Sequence, residues 1–185
     1  MNYILKIAFI FIFFFGVSTA YLFGQDTTVI KKDTLVQNKK LNELPNVNLK
    51  NLNGDIINIK SLADSGKITI ISFWALWCGP CIKELDNTKS LLAEWEKKFN
   101  VQFIAVSIDD SRTTIKVKPF VSQKGWKYNV LLDPNKDLAR ELNVNNPPVL
   151  LIYNEFGQLI YQHQGYTEGS EYDVEDKLKA YTKKN

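Results

Sequence analysis

The chain has 185 residues, of which 45% are apolar and 23% are charged, and its formal net charge is +3 at pH 7. This composition matches an ordinary globular protein and excludes a fibrous or largely disordered one. Its basic residues occur singly or in pairs, whereas a nucleic-acid-binding protein concentrates them on one face, so we expect no nucleic acid as a partner.

The first residues have the layout of a secretory signal peptide, which we assign to residues 1–20. Lys6 stands in a short polar start, Ile7–Val17 is uncharged and mostly Ile and Phe, and Ser18-Thr19-Ala20 supplies the small residues that a signal peptidase reads. The apolar run continues to Phe23. An uncleaved anchor of about 17 residues, at the lower limit for a bilayer span, is therefore the alternative.

Residues 21–43 are predicted to form a flexible tether. From Gln25 they are polar, rich in Lys, Asn, Asp and Thr, and show no sustained period. At Leu44 the pattern changes to that of a folded domain, which we expect to extend over residues 44–185.

The domain reads as strands alternating with helices. The predicted strands are Val47–Leu49, Ile56–Ile59, Ile68–Trp74, Val101–Ile108, Val130–Leu132, Val149–Tyr153 and Leu159–Gln162. The predicted helices are Pro80–Lys98, Thr113–Lys124 (weaker, and interrupted by Pro119), a short one ending at Leu142, and Ser170–Thr182; Ser61–Gly66 is predicted to be a loop. This order indicates an α/β fold with a central mixed sheet, helices on both faces and an extra N-terminal β-hairpin.

The predicted helix Pro80–Lys98 is amphipathic. Its less polar side chains recur at spacings of three and four residues, as expected for one stripe of a helix: Leu85, Thr88, Leu92, Trp95 and Phe99. We expect this stripe to pack in the core.

The two cysteines, Cys78 and Cys81, lie where the buried strand Ile68–Trp74 gives way to this helix. Unpaired backbone N–H groups and aligned peptide dipoles at a helix N terminus stabilise an anion, so Cys78 should lose its proton more readily than a free thiol. Pro80 suits the first helical turn, where no N–H donor is needed. Cys81 comes one turn later and should lie beneath Cys78.

This position favours thiol–disulfide exchange. The Cys78 thiolate attacks a substrate disulfide and forms a mixed disulfide, and Cys81 then attacks Cys78 and releases the reduced substrate. A disulfide that closes so short a loop constrains the unfolded chain little, which disfavours a purely structural bridge.

Other interpretations of the cysteine pair are weaker. A structural zinc site needs about four ligands, whereas the chain offers two cysteines and His163, an expected surface-strand residue, so no metal is predicted. A chance pair would rarely fall between a buried strand and a helix. A peroxide-reducing site usually has Thr three residues before its nucleophile, where this chain has Ala75.

Asp109-Asp110-Ser111 is interpreted as the N-cap of the next helix rather than a metal site.

The segment Phe73–Cys81, followed by Lys83-Glu84-Leu85, resembles the thioredoxin superfamily. Within it, the chain resembles the exported TlpA/ResA-like thiol–disulfide oxidoreductases of bacteria, over roughly residues 44–182. The resemblance implies a thioredoxin-like fold, no cofactor and a location outside the cytoplasm, in the periplasm, with anchoring to the inner membrane if the N-terminal segment is retained. We expect a monomer.

The family places a cis proline opposite its cysteines, and Pro148 is the better match because it directly precedes a strand and has the usual spacing to Gly157. Val149 stands where the family commonly has Thr. Pro147 would pair with the substrate backbone but lacks an N–H, so we expect at most one of the usual two hydrogen bonds. The resemblance and the position of the motif predict these substrate-contacting residues: Trp77, Gly79, Pro80 and Pro147.

A proton acceptor for Cys81 is also expected. Many thioredoxins carry a buried acid where this chain has Ser72, and a hydroxyl cannot act as that base at neutral pH. The subfamily often has Glu three residues after the second cysteine, and Glu84 fills that position. Glu84 is one turn past Cys81 and beside Leu85, so it is expected to be partly buried with a raised pKa; the alternative is that it faces solvent.

Three functions remain open from the sequence. The first is a reductase of exported protein disulfides, for instance the haem-attachment cysteines of an apocytochrome c, recharged by a membrane electron donor. The second is an oxidase or isomerase, and the third is a redox-silent binding module. The intact cysteine pair disfavours the third, and Gly79-Pro80, typical of reducing members, favours the first over the second.

Overall fold

A computed structural model describes residues 42–184 of the chain. The predicted signal peptide, the alternative anchor and most of the tether lie outside these residues. The last two residues of the predicted tether already contact the domain. The carbonyl of Asn42 accepts the Leu159 N–H at 2.8 Å, and Glu43 forms an isolated antiparallel β-bridge with Gln158.

Seven strands form one mixed sheet in the order β2-β1-β5-β4-β3-β6-β7. Their bounds are β1 Asn48–Asn51, β2 Ile56–Asn58, β3 Ile68–Trp74, β4 Val101–Ser107, β5 Asn129–Leu132, β6 Val149–Tyr153 and β7 Leu159–Gln164. The helices are α1 Gly79–Phe99, α2 Val117–Lys124, α3 Asp137–Glu141 and α4 Ser170–Thr182, with 3-10 turns at Lys60–Ser65 and Thr114–Lys116. The predicted strands and helices are therefore confirmed, with shifts of a few residues at their ends.

Strand β3 is the centre of the sheet. It runs parallel to β4 and antiparallel to β6, and all seven of its residues are buried. A strand covered on both faces needs a nearly continuous apolar sequence, which is how Ile68–Trp74 reads. The predicted N-terminal hairpin is present as β1 and β2, and β1 joins the sheet through β5.

Helical segments cover both faces of the sheet. Thr69 and Ser72 are three residues apart on β3, so their side chains point to opposite faces. On one face Gln102, the neighbour of Thr69, donates to the carbonyl of Leu62 in the first 3-10 turn at 2.9 Å. On the other face Ser72 contacts Glu84 of α1, against which α4 packs.

The predicted stripe of α1 faces the core. Four of its five side chains are buried and Leu92 is half-buried, so the spacing identified the packed face correctly. This packing fixes the direction of α1 relative to β3, and with it the position of the loop that joins them.

Two local predictions were wrong. Residues Lys60–Ser65 form a 3-10 turn rather than a loop, which ends at Gly66 with a φ of 64°, a conformation that favours glycine. Pro119 does not interrupt a helix, because it lies in the first turn of α2, where its missing N–H would have had no intrahelical partner. Within residues 42–184, no helix is both long and apolar enough to cross a membrane.

Candidate active site

The two cysteines form a disulfide at the N terminus of α1. Cys78 is the N-cap residue, and the N–H of Cys81 donates to its sulfur at 3.3 Å. Cys78 is 5% exposed, whereas Cys81 is completely buried. The helix therefore directs an N–H group at the sulfur that lies nearer to solvent, an arrangement that stabilises a thiolate once the pair is reduced.

The surface beside the disulfide is formed by the remaining residues of the motif. Trp77 is 65% exposed, which is unusual for so large an apolar side chain, and Gly79 and Pro80 are exposed as well. Pro80 occupies the first turn of α1, as predicted from its missing N–H. These residues form an open, partly apolar rim beside Cys78.

The peptide bond between Pro147 and Pro148 is cis, as the family resemblance implied. Pro148 is buried and Pro147 is half-buried. Val149, the next residue, pairs with Phe73 near the end of β3 from which the cysteine loop leaves the sheet. The two prolines thus lie at the same edge of the sheet as the disulfide.

Glu84 is buried beneath the cysteine motif. It is 3% exposed, so the alternative that it faces solvent is wrong. The hydroxyl of Ser72 donates to its Oε2 at 2.9 Å. Burial raises the pKa of Glu84 from its ordinary value of 4.5 to about 7; the Ser72 hydrogen bond opposes the shift and the charge of Glu171 adds to it. Near neutral pH this carboxyl group can therefore either hold or accept a proton.

A second buried acid, Glu171, comes from α4. Its Oε2 accepts hydrogen bonds from the Tyr166 hydroxyl at 3.0 Å and from the Gly169 N–H at 3.2 Å. The Tyr166 oxygen in turn accepts the side-chain amide of Asn87, one helical turn past Glu84, at 2.6 Å. The sequence alone did not indicate Glu171, because the contacts that relate it to the motif join α4 to α1, two helices far apart in the chain.

Asp109 has a different role from the one predicted. It is 1% exposed and does not cap a helix: both of its carboxylate oxygens accept the backbone N–H of Leu76, at 3.2 and 3.0 Å. Asp110 accepts the N–H groups of Arg112 and Thr113 instead. An acid placed directly after a buried strand parallel to β3 was the signal in the sequence, since parallel strands end at the same edge of a sheet.

His163 lies in β7 and is half-buried, and its Nε2 atom has no hydrogen-bond partner among the described residues. It is paired in register with Leu150 of β6 and is not part of the disulfide site. Within residues 42–184, no three His, Cys, Asp or Glu side chains converge as ligands of a metal ion.

The comparison with known proteins decides the family. The model of the AhpC/TSA family matches residues 41–165, more than half of the chain. The chain belongs to the AhpC/TSA family. It is 31% identical to the thiol-disulfide oxidoreductase ResA of Bacillus anthracis over 142 residues, which cover 77% of this chain and 76% of that protein.

Solved structures show what the fold is. An uncharacterized thioredoxin-like protein from Porphyromonas gingivalis is 41% identical with a TM-score of 0.68, and the match covers 77% of this chain and 93% of that one. A putative thiol:disulfide interchange protein DsbE from Chlorobium tepidum has a TM-score of 0.65 at 24% identity, over 75% and 94% of the two chains, and supports the fold alone. The fold is thioredoxin-like, as the resemblance implied.

This member of the AhpC/TSA family is a thiol–disulfide oxidoreductase. The family match, the ResA relative and the disulfide within the Cys-Gly-Pro-Cys motif agree on that activity. The sequence had singled out the motif, the cis proline and Glu84; the structure places the motif and the cis proline at the same edge of the sheet and buries Glu84 one turn past Cys81. It adds Ser72 as a hydrogen-bond donor to Glu84, Glu171 as a nearby charge and Asp109 as an anchor of the loop.

Proposed function

We propose that this protein is a reductase of disulfides in exported proteins, acting through a dithiol–disulfide cycle of Cys78 and Cys81. The observation that carries the proposal is the unequal position of the two sulfur atoms. Cys78 caps α1 beside the exposed Trp77 and is itself 5% exposed, whereas Cys81 is completely buried one turn further along the helix. A protein substrate can therefore reach Cys78, while Cys81 can react only with Cys78.

In the first step the reduced enzyme attacks its substrate. The Cys78 thiolate forms a bond to one sulfur of the substrate disulfide, the substrate S–S bond breaks, and the second substrate sulfur leaves as a thiolate that takes a proton from water. The product is a mixed disulfide between Cys78 and the substrate. The N–H of Cys81, directed at the Cys78 sulfur, and the N terminus of α1 stabilise the attacking thiolate.

In the second step Cys81 resolves the mixed disulfide. Its thiol gives a proton to the carboxylate of Glu84 and attacks Cys78, the bond between Cys78 and the substrate breaks, and the substrate leaves with both sulfur atoms reduced. Two electrons have passed from the cysteine pair to the substrate. Glu84 suits this role because it is buried on the same helix and its pKa is raised to about 7.

The substrate segment that carries the disulfide lies, in this proposal, between the rim of the motif and the cis proline. In this arrangement Pro148 lies on the side opposite the motif, and Pro147 offers only a carbonyl group because it has no N–H. At most one backbone hydrogen bond therefore holds the substrate there. The proposed contact residues are Trp77, Gly79, Pro80 and Pro147.

Replacing Trp77 by Ala tests the docking surface. We expect kcat/KM for a protein disulfide such as insulin to fall roughly tenfold or more, the loss typical of a large aromatic residue at a binding interface. The reaction with a small disulfide should change little, because the thiolate itself is intact. The free energy of unfolding should also stay close to wild type, since the side chain is 65% exposed.

The matched control for Trp77→Ala is Tyr172→Ala, which removes another exposed aromatic side chain, on α4. Equal losses in both variants, or an equal loss toward the small disulfide, would show that Trp77 does not contact the substrate.

The proposed direction, reduction, rests on the charges around the pair. A helix N terminus stabilises the thiolate and makes any such pair more oxidising, but Gly79-Pro80 adds no positive charge to this effect, unlike the His found in oxidants. Glu84, when ionised, opposes a nearby thiolate. Both features limit stabilisation of the reduced form and favour a low reduction potential.

We expect a reduction potential below about −220 mV, nearer to that of thioredoxin (about −270 mV) than to that of a strong periplasmic oxidant (about −120 mV). The measurement is equilibration of the pair against glutathione or dithiothreitol buffers. Pro80→His is the control. Its imidazole adds positive charge beside Cys78 to that of the helix N terminus, so this variant should have a higher reduction potential than wild type. A wild-type value above about −180 mV would instead favour an oxidase or isomerase.

The cellular setting is part of the same proposal. The signal-peptide layout of residues 1–20 and the resemblance to exported oxidoreductases support an extracytoplasmic, periplasmic location, with retention of the N-terminal segment as an anchor to the inner membrane as the alternative. The proposed substrates are exported protein disulfides, such as the haem-attachment cysteines of an apocytochrome c. A membrane electron donor would return the Cys78–Cys81 disulfide to the dithiol.

A further inference from the structure

The loop that carries the nucleophile, Ala75–Cys78, lies between the end of β3 and the start of α1. The two residues that directly follow β4, Ile108 and Asp109, form hydrogen bonds with this part of the chain. The Ile108 N–H donates to the carbonyl of Trp74 at 2.9 Å, and the Leu76 N–H donates to the Asp109 carboxylate. The Cys78 N–H then closes the loop on the carbonyl of Ala75 at 3.0 Å.

The Asp109 carboxylate is itself held in place. The hydroxyl of Ser107 donates to its Oδ2 at 2.9 Å, and the Asp109 N–H donates back to the Ser107 oxygen at 3.2 Å. Ser107 is the last residue of β4 and pairs in register with Trp74, the last residue of β3. The carboxylate is therefore tied to the rigid end of the sheet.

A buried carboxylate is costly unless hydrogen bonds compensate its loss of water. No ion pair of the residues that the structure describes involves Asp109, and its side-chain hydrogen bonds come from Leu76 and Ser107. Hydrogen bonds to a charged acceptor are about twice as strong as neutral ones. The cost of burying this carboxylate is thus offset by two donors: the Ser107 hydroxyl at the end of β4, and the N–H of Leu76 on the loop, two residues before the nucleophile.

We propose that Asp109 is a positioning residue for thiol–disulfide exchange: its carboxylate holds Leu76 so that the loop presents the Cys78 sulfur at the N terminus of α1. Asp109 does not touch the substrate or either sulfur atom in this role. Without the anchor, the loop spends less time in the conformation from which Cys78 can attack. Asp109 has this role whether the pair reduces or oxidises its substrate, so it does not depend on the protein being a reductase.

Asp109→Ala in the full chain tests the proposal. We expect the reaction of reduced Cys78 with a small disulfide, such as glutathione disulfide, to slow between about 10- and 100-fold, the range that loss of positioning produces. Asp109→Asn keeps an oxygen acceptor for Leu76 and a polar partner for Ser107, so it should recover most of the rate. The pH at which Cys78 gains reactivity should be the same in Asp109→Asn and wild type.

Asp133→Ala is the matched control. Asp133 is also completely buried, follows β5, and accepts the N–H groups of Asp137 and Ala139 at 2.7 and 2.9 Å, at the start of α3. Its loss should lower the thermal midpoint of unfolding with no change in the rate of Cys78. Rates are compared for folded protein, whose fraction is measured by circular dichroism.

The proposal is wrong if Asp109→Ala reacts as fast as wild type, or if Asp133→Ala slows the reaction equally. It is also wrong if Asp109→Asn is as slow as Asp109→Ala and shifts the pH profile of Cys78, because the charge would then act directly on the thiolate. Should Asp109→Ala fail to fold, Ser107→Ala decides, since it removes only the group that orients the carboxylate. An intermediate slowing supports positioning, and an unchanged rate overturns it.

Discussion

Replacing Cys78 by Ser abolishes disulfide exchange, whereas replacing Cys81 by Ser leaves the first step intact and stops the second. A serine hydroxyl is not ionised at neutral pH and cannot replace the thiolate that attacks the substrate. In Cys81→Ser the attacking sulfur remains at the N terminus of α1, but no second thiol is present to release the substrate. The mixed disulfide should therefore accumulate.

Insulin reduction with dithiothreitol measures the first loss, and mass spectrometry of the trapped adduct measures the second. The adduct should disappear on treatment with excess dithiothreitol, and the double variant should form none. Activity of Cys78→Ser equal to wild type would exclude the pair as the catalytic centre. The Cys81→Ser variant also offers a way to isolate the exported substrates that we propose.

Replacing Glu84 by Gln raises the free energy of unfolding of the oxidised protein above pH 7 and leaves it nearly unchanged near pH 4. The pKa of Glu84 is raised from 4.5 to about 7 on folding, so the folded protein binds more protons than the unfolded chain between these pH values. The wild-type free energy of unfolding therefore falls as pH rises through this window. An uncharged Gln avoids a penalty of at most about 3 kcal/mol.

The same variant should slow the resolving step. In wild type the carboxylate that accepts the Cys81 proton forms as pH rises through about 7, so the release of substrate from the mixed disulfide should accelerate across that range. Gln cannot accept the proton, and the inflection should be lost. The attack by Cys78 should keep its own pH dependence, because that sulfur lies at the helix N terminus.

Urea unfolding at several pH values and single-turnover release of a fluorescent substrate test both effects of Glu84→Gln. Glu96→Gln is the control, since it makes the same change on an exposed face of α1. Stability and release profiles that overlay wild type would show that Glu84 has neither a raised pKa nor a role in proton transfer.

Much of the fold could be predicted from the sequence because its signals are local. A short, continuous run of β-branched and apolar residues is typical of a strand covered on both faces, and this pattern predicted the strand Ile68–Trp74. The three- and four-residue spacing from Leu85 identified the buried face of α1. These two elements alone place Cys78 at a helix N terminus, which is the basis of its chemistry. The family resemblance added the cis bond before Pro148.

The sequence was less informative where the deciding contact joins distant segments. Asp109 read as a helix cap because local spacing relates it to the residues that follow, while its partner Leu76 lies 33 positions earlier. The 3-10 turn at Lys60–Ser65 differs from the predicted loop for another reason: its hydrogen bonds are local, but the segment is too short to show a helical period.

The sequence by itself therefore determined the elements, the cysteine motif and its place between β3 and α1. Only the tertiary structure decided the surroundings of the site: Ser72 against Glu84, Glu171 beside them from α4, and Asp109 beneath the loop. The physical reason is that periodicity in the sequence reports which face of an element is buried. Strand order and register then determine which buried polar groups meet, and local patterns do not encode those pairings.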